Sequence, residues 1–519
     1  MIKDILKKHK SEFFSKKISF DEFLDIVQKS PETQLRNSAM YIKDTFDYFG
    51  KSKNGGRFNL FHTDLLPSKK IYGNVKIQNL VYGSLQNFVE EGYNNKLLLL
   101  VGPNGSAKTS LVNKMMEACE FYSKQEEGAL YTFSWIFPSN GTGFSGERRK
   151  MGINSSDSGE PKVDSYAYLK DDEIGSVVIS ELRDHPILLI PRPARQEYLR
   201  EILKEKPKLL SKIKKTYLYL GDVSKQNKDI FNALMKQYDG DIEKVFKHVR
   251  VERYDISRRY SKSVATVEPQ VQVDAQMQQV TMDEKIRHLP PSIQALNLVK
   301  SSGELVYANR GILEFSDFFK RNPEANKYLL MTIESKNLNV RGILTELDIL
   351  FFGTSNELYY DAFKNSADFK SFRARFKTIH VPYLLSFKDE KHIYKEHVKN
   401  VDISKFERHA LEAFSLWAVM TRLHEPKRDS YRGNEDLYPI VSSVNALDKA
   451  LIYSGYGNDL NRERFSREEI KILKKSKKDF QKEFINRSVE ISGMGIVNYY
   501  EGRFCLLYTS DAADDSLRV

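Results

Sequence analysis

Cysteine is nearly absent from this chain of 519 residues, since only Cys119 and Cys505 occur, and no disulfide framework is predicted. Long apolar runs are absent too: none approaches the roughly 18 residues that a membrane-spanning helix needs. The first residues, Met-Ile-Lys-Asp-Ile-Leu-Lys-Lys, lack the apolar centre of a secretory signal peptide. Together these absences predict a cytoplasmic protein with no membrane partner, and the length of 519 residues predicts several domains.

Acidic residues are in the minority, because 70 Asp and Glu stand against 81 Lys and Arg and leave a net charge of +11. An excess of positive charge attracts acidic partners in general. The basic residues are spread out, however, and the densest runs, 204–215 and 471–482, alternate with apolar residues as solvated helix faces do. No nucleic-acid-binding motif accompanies the charge, so nucleic acid is not predicted as a partner.

Several signatures of catalysis are missing as well. The sequence has no Cys/His spacing of a zinc site and no Gly-x-Ser-x-Gly nucleophile turn. It also lacks the protein-kinase set of a glycine-rich loop with Val-Ala-Ile-Lys, His-Arg-Asp and Asp-Phe-Gly. These absences exclude zinc chemistry and the usual arrangement of protein-kinase residues.

The most informative feature that is present is an apolar run leading into a glycine-containing loop. Residues 97–110 are Leu-Leu-Leu-Leu-Val-Gly-Pro-Asn-Gly-Ser-Ala-Lys-Thr-Ser, followed by a helix-like segment. Strand, loop, Lys-Thr and helix in this order predict a phosphate-binding P-loop, whose backbone N–H groups face the phosphates. The predicted nucleotide-binding residues are Gly102, Pro103, Asn104, Gly105, Ser106, Ala107, Lys108, Thr109 and Ser110.

Two residues of this loop have predicted roles and one departs from the usual pattern. Lys108 is expected at the β- and γ-phosphates, and Thr109 is expected to ligate Mg²⁺. Ala107 replaces the second glycine of the motif, which alanine can do if it keeps a helical φ; some AAA+ ATPases carry Ala-Lys-Ser there. The predicted cofactors are therefore ATP and Mg²⁺.

A P-loop ATPase also needs carboxylates on the neighbouring strand, one for Mg²⁺ and one for the attacking water. Segment 308–317 has the shape of an AAA+ Walker-B strand, but Ser316 and Asp317 stand where Asp-Glu is usual. Asp317 is predicted as a catalytic residue and metal ligand. If the strand is offset from the usual Walker-B register, Glu314 is the predicted catalytic carboxylate instead. The open alternatives are slow hydrolysis and an ordinary strand-to-helix junction without a catalytic role.

A polar segment, Thr-Ser-Asn-Glu, follows the apolar run that ends at Gly353. Its Asn356 is predicted to position the lytic water, the sensor-1 role in AAA+ proteins. The alternative is that Asn356 caps the next helix, which is a frequent use of asparagine.

Two arginines precede the predicted strand 378–385. Arg375 is the preferred candidate for an arginine finger that reaches the γ-phosphate of an adjacent subunit, and Arg373 is the reserve. The alternative is that both are surface basic residues.

Strands separated by helices predict a parallel sheet with helices on both faces, an α/β P-loop NTPase. Residues 186–191 suggest a buried strand or pocket edge, 195–250 appear helical in pattern, and 265–282 suggest an extended β insertion. A lid helix is expected over 406–422 and a long polar loop over 139–160. The predicted strands are Leu97–Val101, 305–308, 312–315, 349–353 and 379–385, and the predicted helices around them are 75–90 and 108–123.

The pattern divides the chain into an N-terminal helical extension over 1–65, an AAA+ P-loop core with insertions over 66–388, and a helical lid with the start of a C-terminal domain over 389–504. Residues 505–519 are expected to be non-native, because 506–519 resembles the translated read-through of a sequencing adapter. An acidic disordered tail is the alternative.

Taken together, these segments resemble the PrkA family of bacterial serine protein kinases, which carry an AAA+ ATPase domain. The resemblance spans residues 65–504. It rests on the segments 165–169 (Ser-Tyr-Ala-Tyr-Leu), 183–192 (Arg-Asp-His-Pro-Ile-Leu-Leu-Ile-Pro-Arg), 247–254 (Lys-His-Val-Arg-Val-Glu-Arg-Tyr), 267–270 (Val-Glu-Pro-Gln), 273–276 (Val-Asp-Ala-Gln), 308–311 (Ala-Asn-Arg-Gly) and 381–385 (Val-Pro-Tyr-Leu-Leu).

The resemblance implies an ATP- and Mg²⁺-dependent cytoplasmic protein that forms a homo-oligomer, either an AAA+ ring or a dimer, and acts on a protein substrate. It implies phosphoryl transfer to protein serine or threonine. Members of the family continue into a C-terminal kinase-like domain, which this chain is expected to contain at most in part. Two alternatives stay open: an ATP-dependent remodeller or protease partner without kinase activity, and a nucleotide-switched scaffold with weak hydrolysis. The alternating charges of Arg250, Glu252 and Arg253 indicate either an ion-pair ladder or an interface.

Overall fold

The computed structural model describes residues 17–53, 56–139, 165–270, 275–279, 293, 299–340, 342–366, 368–397, 409–423, 426 and 428–477. The predicted loop at 139–160 and the predicted non-native tail therefore lie almost wholly or wholly outside the described residues.

The strands of the described residues are β1 (Lys17–Ser19), β2 (Leu97–Val101), β3 (Leu130–Pro138), β4 (Ile174–Ile179), β5 (Val249–Tyr254), β6 (Val264–Val267), β7 (Gln276–Gln279), β8 (Val299–Ser302), β9 (Gly311–Phe315), β10 (Asn337–Val340), β11 (Ile343–Glu346), β12 (Ile349–Ser355) and β13 (Phe376–His380).

The α-helices of the same residues are α1 (Phe20–Lys29), α2 (Pro31–Gln34), α3 (Ser38–Phe49), α4 (Val75–Glu91), α5 (Lys108–Ser123), α6 (Arg192–Ile202), α7 (Pro207–Ile213), α8 (Tyr217–Leu220), α9 (Lys225–Gln237), α10 (Ile242–Lys247), α11 (Glu304–Tyr307), α12 (Pro323–Ser335), α13 (Glu357–Lys364), α14 (Phe369–Arg373), α15 (Phe387–His397), α16 (Ala410–Met420), α17 (Ala446–Ser454) and α18 (Arg467–Lys475).

A five-stranded parallel sheet forms the centre of the molecule, in the order β13-β2-β12-β9-β6. All five residues of β2 are buried, because a parallel sheet is covered on both faces and its strands are continuously apolar. Leu98 and Leu100 face a core that includes residues of α3, α4 and α5, whereas Leu97 and Leu99 face one that includes residues of α12 and α13. The predicted α/β fold with a parallel sheet and flanking helices is confirmed.

A second, antiparallel sheet in the order β1-β5-β3-β4 was not predicted from the sequence. All nine residues of β3 are buried, and the alternation of Thr132 and Ser134 with aromatic residues is a strand signal that the sequence analysis missed. Apolar residues of α6 to α10 share a core with one face of this sheet. The insertion is therefore an α/β layer of its own.

The predicted N-terminal extension packs into both sheets where the structure describes it. Strand β1 pairs with β5, and α3 contributes Phe46 and its neighbours to the main core. The carboxylate of Asp348, just before β12, accepts hydrogen bonds from the backbone N–H and hydroxyl of Ser38, both at 2.7 Å. These contacts make residues 17–53 part of the core and not an appended layer.

The junction before β9 joins the two sheets. Arg310 is buried and donates from Nη1 to the carbonyl oxygens of Tyr131 at 2.6 Å and Arg183 at 3.0 Å. Asn309 accepts from the backbone N–H of Asp348 at 2.9 Å and donates to the carbonyl of Leu182 at 2.7 Å. The Ala-Asn-Arg-Gly segment is thus a structural link between the main sheet and the antiparallel sheet.

Some predicted elements were wrong. Residues 305–308 lie in the short helix α11 and its end, not in a strand, and the run 186–191 contains a buried 3₁₀ turn, Pro186–Leu189. Short apolar runs do not distinguish these outcomes, because burial alone sets their composition. The presumed β insertion at 265–282 begins with β6, a strand of the main sheet. The last predicted strand starts earlier, at Phe376, and ends at His380.

The region after residue 388 is mostly helical where described, with α15 to α18 around one apolar core. Helix α16 covers the described part of the predicted lid helix at 406–422. Within the described ranges no helix combines the length and apolar character needed to cross a bilayer.

Candidate nucleotide site

The predicted P-loop connects the carboxyl end of β2 to the start of α5. The backbone N–H of Gly102 donates to the carbonyl of Ser355 at 3.2 Å, and that of Val381 donates to the carbonyl of Val101 at 2.7 Å. A Cβ on Gly102 would collide with the carbonyl oxygen of Val381, so this position accepts only glycine. The start of the loop is therefore fixed between the ends of β12 and β13.

Lys108 is the first residue of α5, and its ammonium group lies inside the loop. Nζ donates to the carbonyl oxygens of Gly102 and Pro103, each at 2.8 Å, and the side chain is buried. Burial lowers the pKa of Lys108 to about 8, although the charges of Asp317 and Glu357 oppose the shift. An anion bound in this loop would offset the desolvation that lowers the pKa.

Ala107 does not have the helical φ that the sequence analysis required of it. Its φ is 68° and its ψ is 25°, which places the residue in the left-handed region. A residue with a Cβ pays roughly 1–2 kcal/mol for this conformation. The second glycine of the usual motif would remove that cost, so the substitution is tolerated with strain and is not neutral.

The loop has the shape and the donors that a triphosphate requires. Asn104, Gly105, Thr109 and Ser110 are exposed, and Gly105 has a φ of 77°. Among the described residues the buried hydroxyl of Ser106 has no hydrogen-bond partner. A hydroxyl without a partner, a helix start with exposed residues and a buried ammonium group form a fitting anion site.

Asp317 lies just past the end of β9 and near the loop. Its backbone N–H donates to the Thr354 hydroxyl at 3.2 Å, and its carboxylate accepts from Lys320 at 2.7 Å. Its φ of 46° turns the chain sharply out of the strand. The charge of Asp317 opposes the lowering of the Lys108 pKa, so the acid lies within electrostatic reach of the loop.

Glu314 lies deeper in the sheet than Asp317. It pairs with Phe352 of β12, which pairs with Leu98, three residues before the end of β2. At about 3.3 Å per residue this puts Glu314 roughly 10 Å below the level of the loop. The side chain is fully buried, its pKa is raised to about 7 by burial, and one oxygen has no partner in the described part of the chain.

The strand that carries Glu314 and leads to Asp317 is not the neighbour of the P-loop strand. Strand β12 lies between β2 and β9, which corrects the expectation that the carboxylates stand on the adjacent strand. The residues at the tip of β12 are therefore nearer to the loop than the sequence order suggested.

Asn356 follows β12, and its side chain accepts a hydrogen bond from the backbone N–H of Tyr359 at 3.1 Å. The helix-capping alternative is therefore present in the structure. The next residue, Glu357, was not selected from the sequence. Burial is the main reason that its pKa is raised to about 7; Asp361 adds to the rise, and Lys108 and Lys364 oppose it. Glu357 and Asp317 thus each act on the charge of Lys108.

The two candidate arginines lie at the amino ends of the strands, opposite to the end of the sheet that carries the loop. The carbonyl of Arg375 accepts from the backbone N–H of Leu97, at the amino end of β2, whereas the loop begins at its carboxyl end. The Arg375 guanidinium pairs with Glu334 and donates to the carbonyl of Ser371 at 2.7 Å. Arg373 is exposed on α14. Neither arginine is brought to the loop of its own chain.

A cavity of about 830 Å³ lies between the start of α4, the end of β13 and the C-terminal helices. Its rim approaches the loop, because the side chain of Asn74 donates to the carbonyl of Ser106 at 3.4 Å. The sequence analysis missed this cavity, since its walls come from segments hundreds of residues apart. Its lining includes Gly73, Asn74, Lys76, Ile77, Leu80, Ile379, His380, Leu384, Asp389, Tyr453 and Lys477.

The charged segment 247–254 supports the helix that carries Lys108. Nε of Arg250 donates to Glu252 at 2.8 Å, so two of the three charges form the ion pair suggested by their alternation. Arg253 pairs with Glu126 at 2.8 Å and also donates to the carbonyls of Ser123 and Gln125, at 3.2 and 2.8 Å. A cation at this position stabilises the carboxyl end of α5.

Comparison with known proteins identifies the family. The PrkA AAA domain family matches residues 168–430, about half of the chain. The chain belongs to this family. The matched segment includes β9, β12 and the two arginines but begins after the 102–110 loop.

Two named relatives of this PrkA-family chain are bacterial. The ATP-dependent protease PrkA of Bacillus subtilis (strain 168) is 22% identical over 456 residues, which are 84% of this chain and 57% of that protein. The serine/threonine kinase YeaG of Escherichia coli (strain K12) is 28% identical over 163 residues, 30% of this chain and 25% of that protein. The chain thus spans little more than half of the first relative and a quarter of the second.

Proposed function

We propose that this chain binds ATP with Mg²⁺ at the 102–110 loop and hydrolyses it. The observation that carries the proposal is the buried ammonium group of Lys108, held within a glycine-containing loop at the carboxyl end of a parallel sheet. The loop amides and the start of α5 would hold the β- and γ-phosphates, and Lys108 would neutralise part of their charge. The exposed hydroxyl of Thr109 and the carboxylate of Asp317 would hold Mg²⁺, which neutralises charge on the phosphate oxygens.

The cavity beside the loop would receive the base and ribose. Its volume of about 830 Å³ is within the range of small-molecule pockets. Ile77, Leu80 and Ile379 give it apolar walls that suit the faces of a heterocyclic base. A nucleotide whose phosphates lie at Ser106 would reach the cavity past Asn74.

Asp317 and Glu357 are the acids that would orient the attacking water. Both act electrostatically on Lys108, which supports a position close to the phosphates. The raised pKa of Glu357, about 7, suits a group that accepts and returns a proton near neutral pH. Glu314, about 10 Å deeper by strand register, would act on the site only through its neighbours.

Completion of the site by a second subunit is part of the proposal. Arg375 lies at the amino end of β2, about 13 Å along the strand from the loop. A guanidinium at that edge would serve a neighbouring subunit's phosphates and not its own. This favours a homo-oligomer, with Arg373 as the alternative finger because it is exposed and Arg375 is paired with Glu334.

Two uses of the hydrolysed ATP are supported by the names of the relatives. The kinase name of the Escherichia coli relative supports phosphoryl transfer to serine or threonine of a protein substrate. The protease name of the Bacillus subtilis relative, which aligns with most of this chain, supports ATP-dependent remodelling or delivery of a protein for proteolysis. Both are activities of longer proteins, so an ATPase is the function proposed for this chain itself.

A nucleotide titration of the wild type and of Lys108→Ala tests the proposal. Charge-assisted hydrogen bonds contribute about 1.5–3 kcal/mol, so the variant should bind ATP roughly 10- to 150-fold more weakly. Lys124→Ala is the matched control, because Lys124 follows the same helix and its side chain is about half exposed. Equal affinity in all three proteins would remove Lys108 from the site.

Labelled ATP separates the possible uses. Label on serine or threonine of an added protein supports the kinase; free phosphate without such label supports a simple ATPase. Loss of an added protein's fold or chain integrity only with ATP supports the remodelling or protease role. ATP binding with negligible phosphate release from the oligomer supports the scaffold and contradicts hydrolysis.

A further inference from the structure

We propose that Asp389 accepts a hydrogen bond from the exocyclic 6-amino group of adenine and thereby selects ATP over 6-oxo purine nucleotides. The inference rests on the proposed function, because it places a nucleotide base in the cavity beside the 102–110 loop. It adds the group that recognises the base.

Asp389 is the only acid among the described residues that line this cavity. The basic lining residues are Lys76 and Lys477, and His380 is the imidazole. The other polar side chains of the lining, Asn74, Thr378, Tyr383, Ser386 and Tyr453, are uncharged and carry hydroxyl or amide donors of their own. A base that enters this space therefore meets one group that accepts hydrogen bonds and cannot donate them when ionised.

The carboxylate has a defined position over the chain that precedes α4. A Cβ built on Gly73 would lie 3.3 Å from Oδ2 of Asp389 and 3.7 Å from its Cγ. Gly73 has a φ of 71°, so glycine is the residue that allows both the turn and the close approach. The next residue, Asn74, contacts the loop through the carbonyl of Ser106, so the carboxylate lies against the same short stretch of chain that borders the loop.

The surroundings keep acceptor capacity on this carboxylate. Burial raises the pKa of Asp389, whereas a hydrogen bond from Ser386 and the charges of His392, Arg57 and Lys477 lower it. A carboxylate has about four lone-pair sites, so a bond from Ser386 leaves room for another donor. Burial outweighs these groups and leaves the pKa of Asp389 raised, and the positive charges offset part of the cost of the ionised form, which accepts the stronger bond.

Base chemistry decides which nucleotide suits this acceptor. The 6-amino group of adenine presents an N–H donor, whereas the 6-oxo group of hypoxanthine or guanine presents lone pairs that a carboxylate repels. Sites that hydrogen-bond a polar group discriminate strongly against an analogue lacking it, because their own buried group is left unpaired. Both 6-oxo bases carry an N1–H donor and guanine adds a 2-amino group, but neither base has a donor at position 6, where adenine has one.

The experiment compares binding of ATP, ITP and GTP to the wild-type chain and to Asp389→Asn. The wild type should bind ATP at least about tenfold more tightly than ITP. Asp389→Asn, whose amide both donates and accepts, should weaken ATP binding and bring the ATP/ITP ratio close to one. Glu396→Gln, an acid on the same helix outside the cavity lining, should keep the wild-type ratio.

Each outcome has a distinct meaning. Retained ITP binding in Asp389→Asn shows that the variant is folded. An ATP/ITP affinity ratio close to one in that variant then supports the proposal. Equal ATP and ITP affinities in the wild type, or an unchanged ratio in Asp389→Asn, would overturn it while leaving the nucleotide site intact. GTP binding as tight as ATP that also depends on Asp389 would assign the carboxylate to the N1–H and 2-amino group of guanine and overturn the adenine assignment. Absence of any nucleotide binding by the wild type would reject the proposed function itself.

Discussion

Arg422 and Glu390 form a two-pronged ion pair that is buried on both sides. Nη2 of Arg422 lies 2.9 Å from one carboxylate oxygen, Nη1 lies 3.2 Å from the other, and the side chains are 1% and 0% exposed. Nη1 also donates to the carbonyl of Leu384, a residue of the cavity wall, at 3.0 Å. The pair thus joins α15 and the end of α16 to the rim of the candidate base pocket.

Removing one partner of this pair should destabilise the helical region strongly. Glu390→Ala leaves a buried guanidinium uncompensated, and such losses cost about 3–5 kcal/mol. The double variant Glu390→Leu with Arg422→Met should recover most of that stability, because apolar replacements of buried pairs are often neutral. Urea unfolding of the three proteins measures this. A single variant as stable as the wild type would contradict the structural role of the pair.

Glu314 should make stability depend on pH. Its pKa in the folded chain is about 7 against a usual value near 4.5, so the folded chain keeps a proton that the unfolded chain loses between these values. Stability should therefore fall as pH rises from about 4.5 to 7, by on the order of 3 kcal/mol at 1.36 kcal/mol per unit.

Glu314→Gln removes this titration and is expected to gain stability over the wild type as pH rises from 5 to 8. Thermal unfolding at both pH values measures the change. Glu201→Gln, with an exposed side chain on α6, serves as the control and should shift neither value. A difference between Glu314→Gln and the wild type that is the same at pH 5 and pH 8 would argue against a raised pKa.

Ala107→Gly should stabilise the folded chain. The left-handed φ of 68° costs alanine roughly 1–2 kcal/mol, and the extra unfolded-state entropy of glycine takes back about 0.5–1 kcal/mol. The expected gain is a few tenths to about 1 kcal/mol in denaturant unfolding. Ala118→Gly, in the interior of α5, should instead destabilise by about 1 kcal/mol or more. Destabilisation of both variants would be inconsistent with strain at Ala107.

Mixed assemblies should reveal whether Arg375 acts between subunits. Lys108→Ala subunits keep the arginine but lose nucleotide, and Arg375→Ala subunits keep the loop but lose the arginine. With equal amounts mixed at random, about one interface in four pairs an intact loop with an intact arginine. ATP turnover of the mixture should therefore exceed that of either variant alone. Turnover no higher than the average of the two would reject this arrangement, and the same mixture with Arg373→Ala tests the reserve residue.

The strand and helix around the loop were predictable because the local signals agree. An apolar run ends at Gly102, and Lys108 and Thr109 begin an apolar-periodic helix, so β2 and α5 have the predicted bounds. Asn356 was predictable only as a choice between two roles, since the same side chain suits a cap and a sensor. The structure shows its cap, and its sensor role stays a prediction.

Other parts of the site had no local signal. Asp389 lies on an ordinary polar helix, and only the fold brings it to Gly73, more than 300 positions earlier in the chain. The order of the strands is likewise a long-range property, so the sequence could not show that β12 separates β2 from β9. The φ of Ala107 was misjudged because a loop's dihedral angles depend on what anchors its ends, here Ser355 and Val381.

The contacts of Arg310, which connect the two sheets, limit how far this protein can be shortened for expression. Its guanidinium takes its acceptors from Tyr131 and Arg183, and Asp348 takes its donors from Ser38. A shortened product that starts at residue 66, or that deletes the antiparallel sheet, would leave a charged group stranded in an apolar interior. The smallest product expected to stay folded and retain the loop must therefore carry the residues from β1 onward together with both sheets.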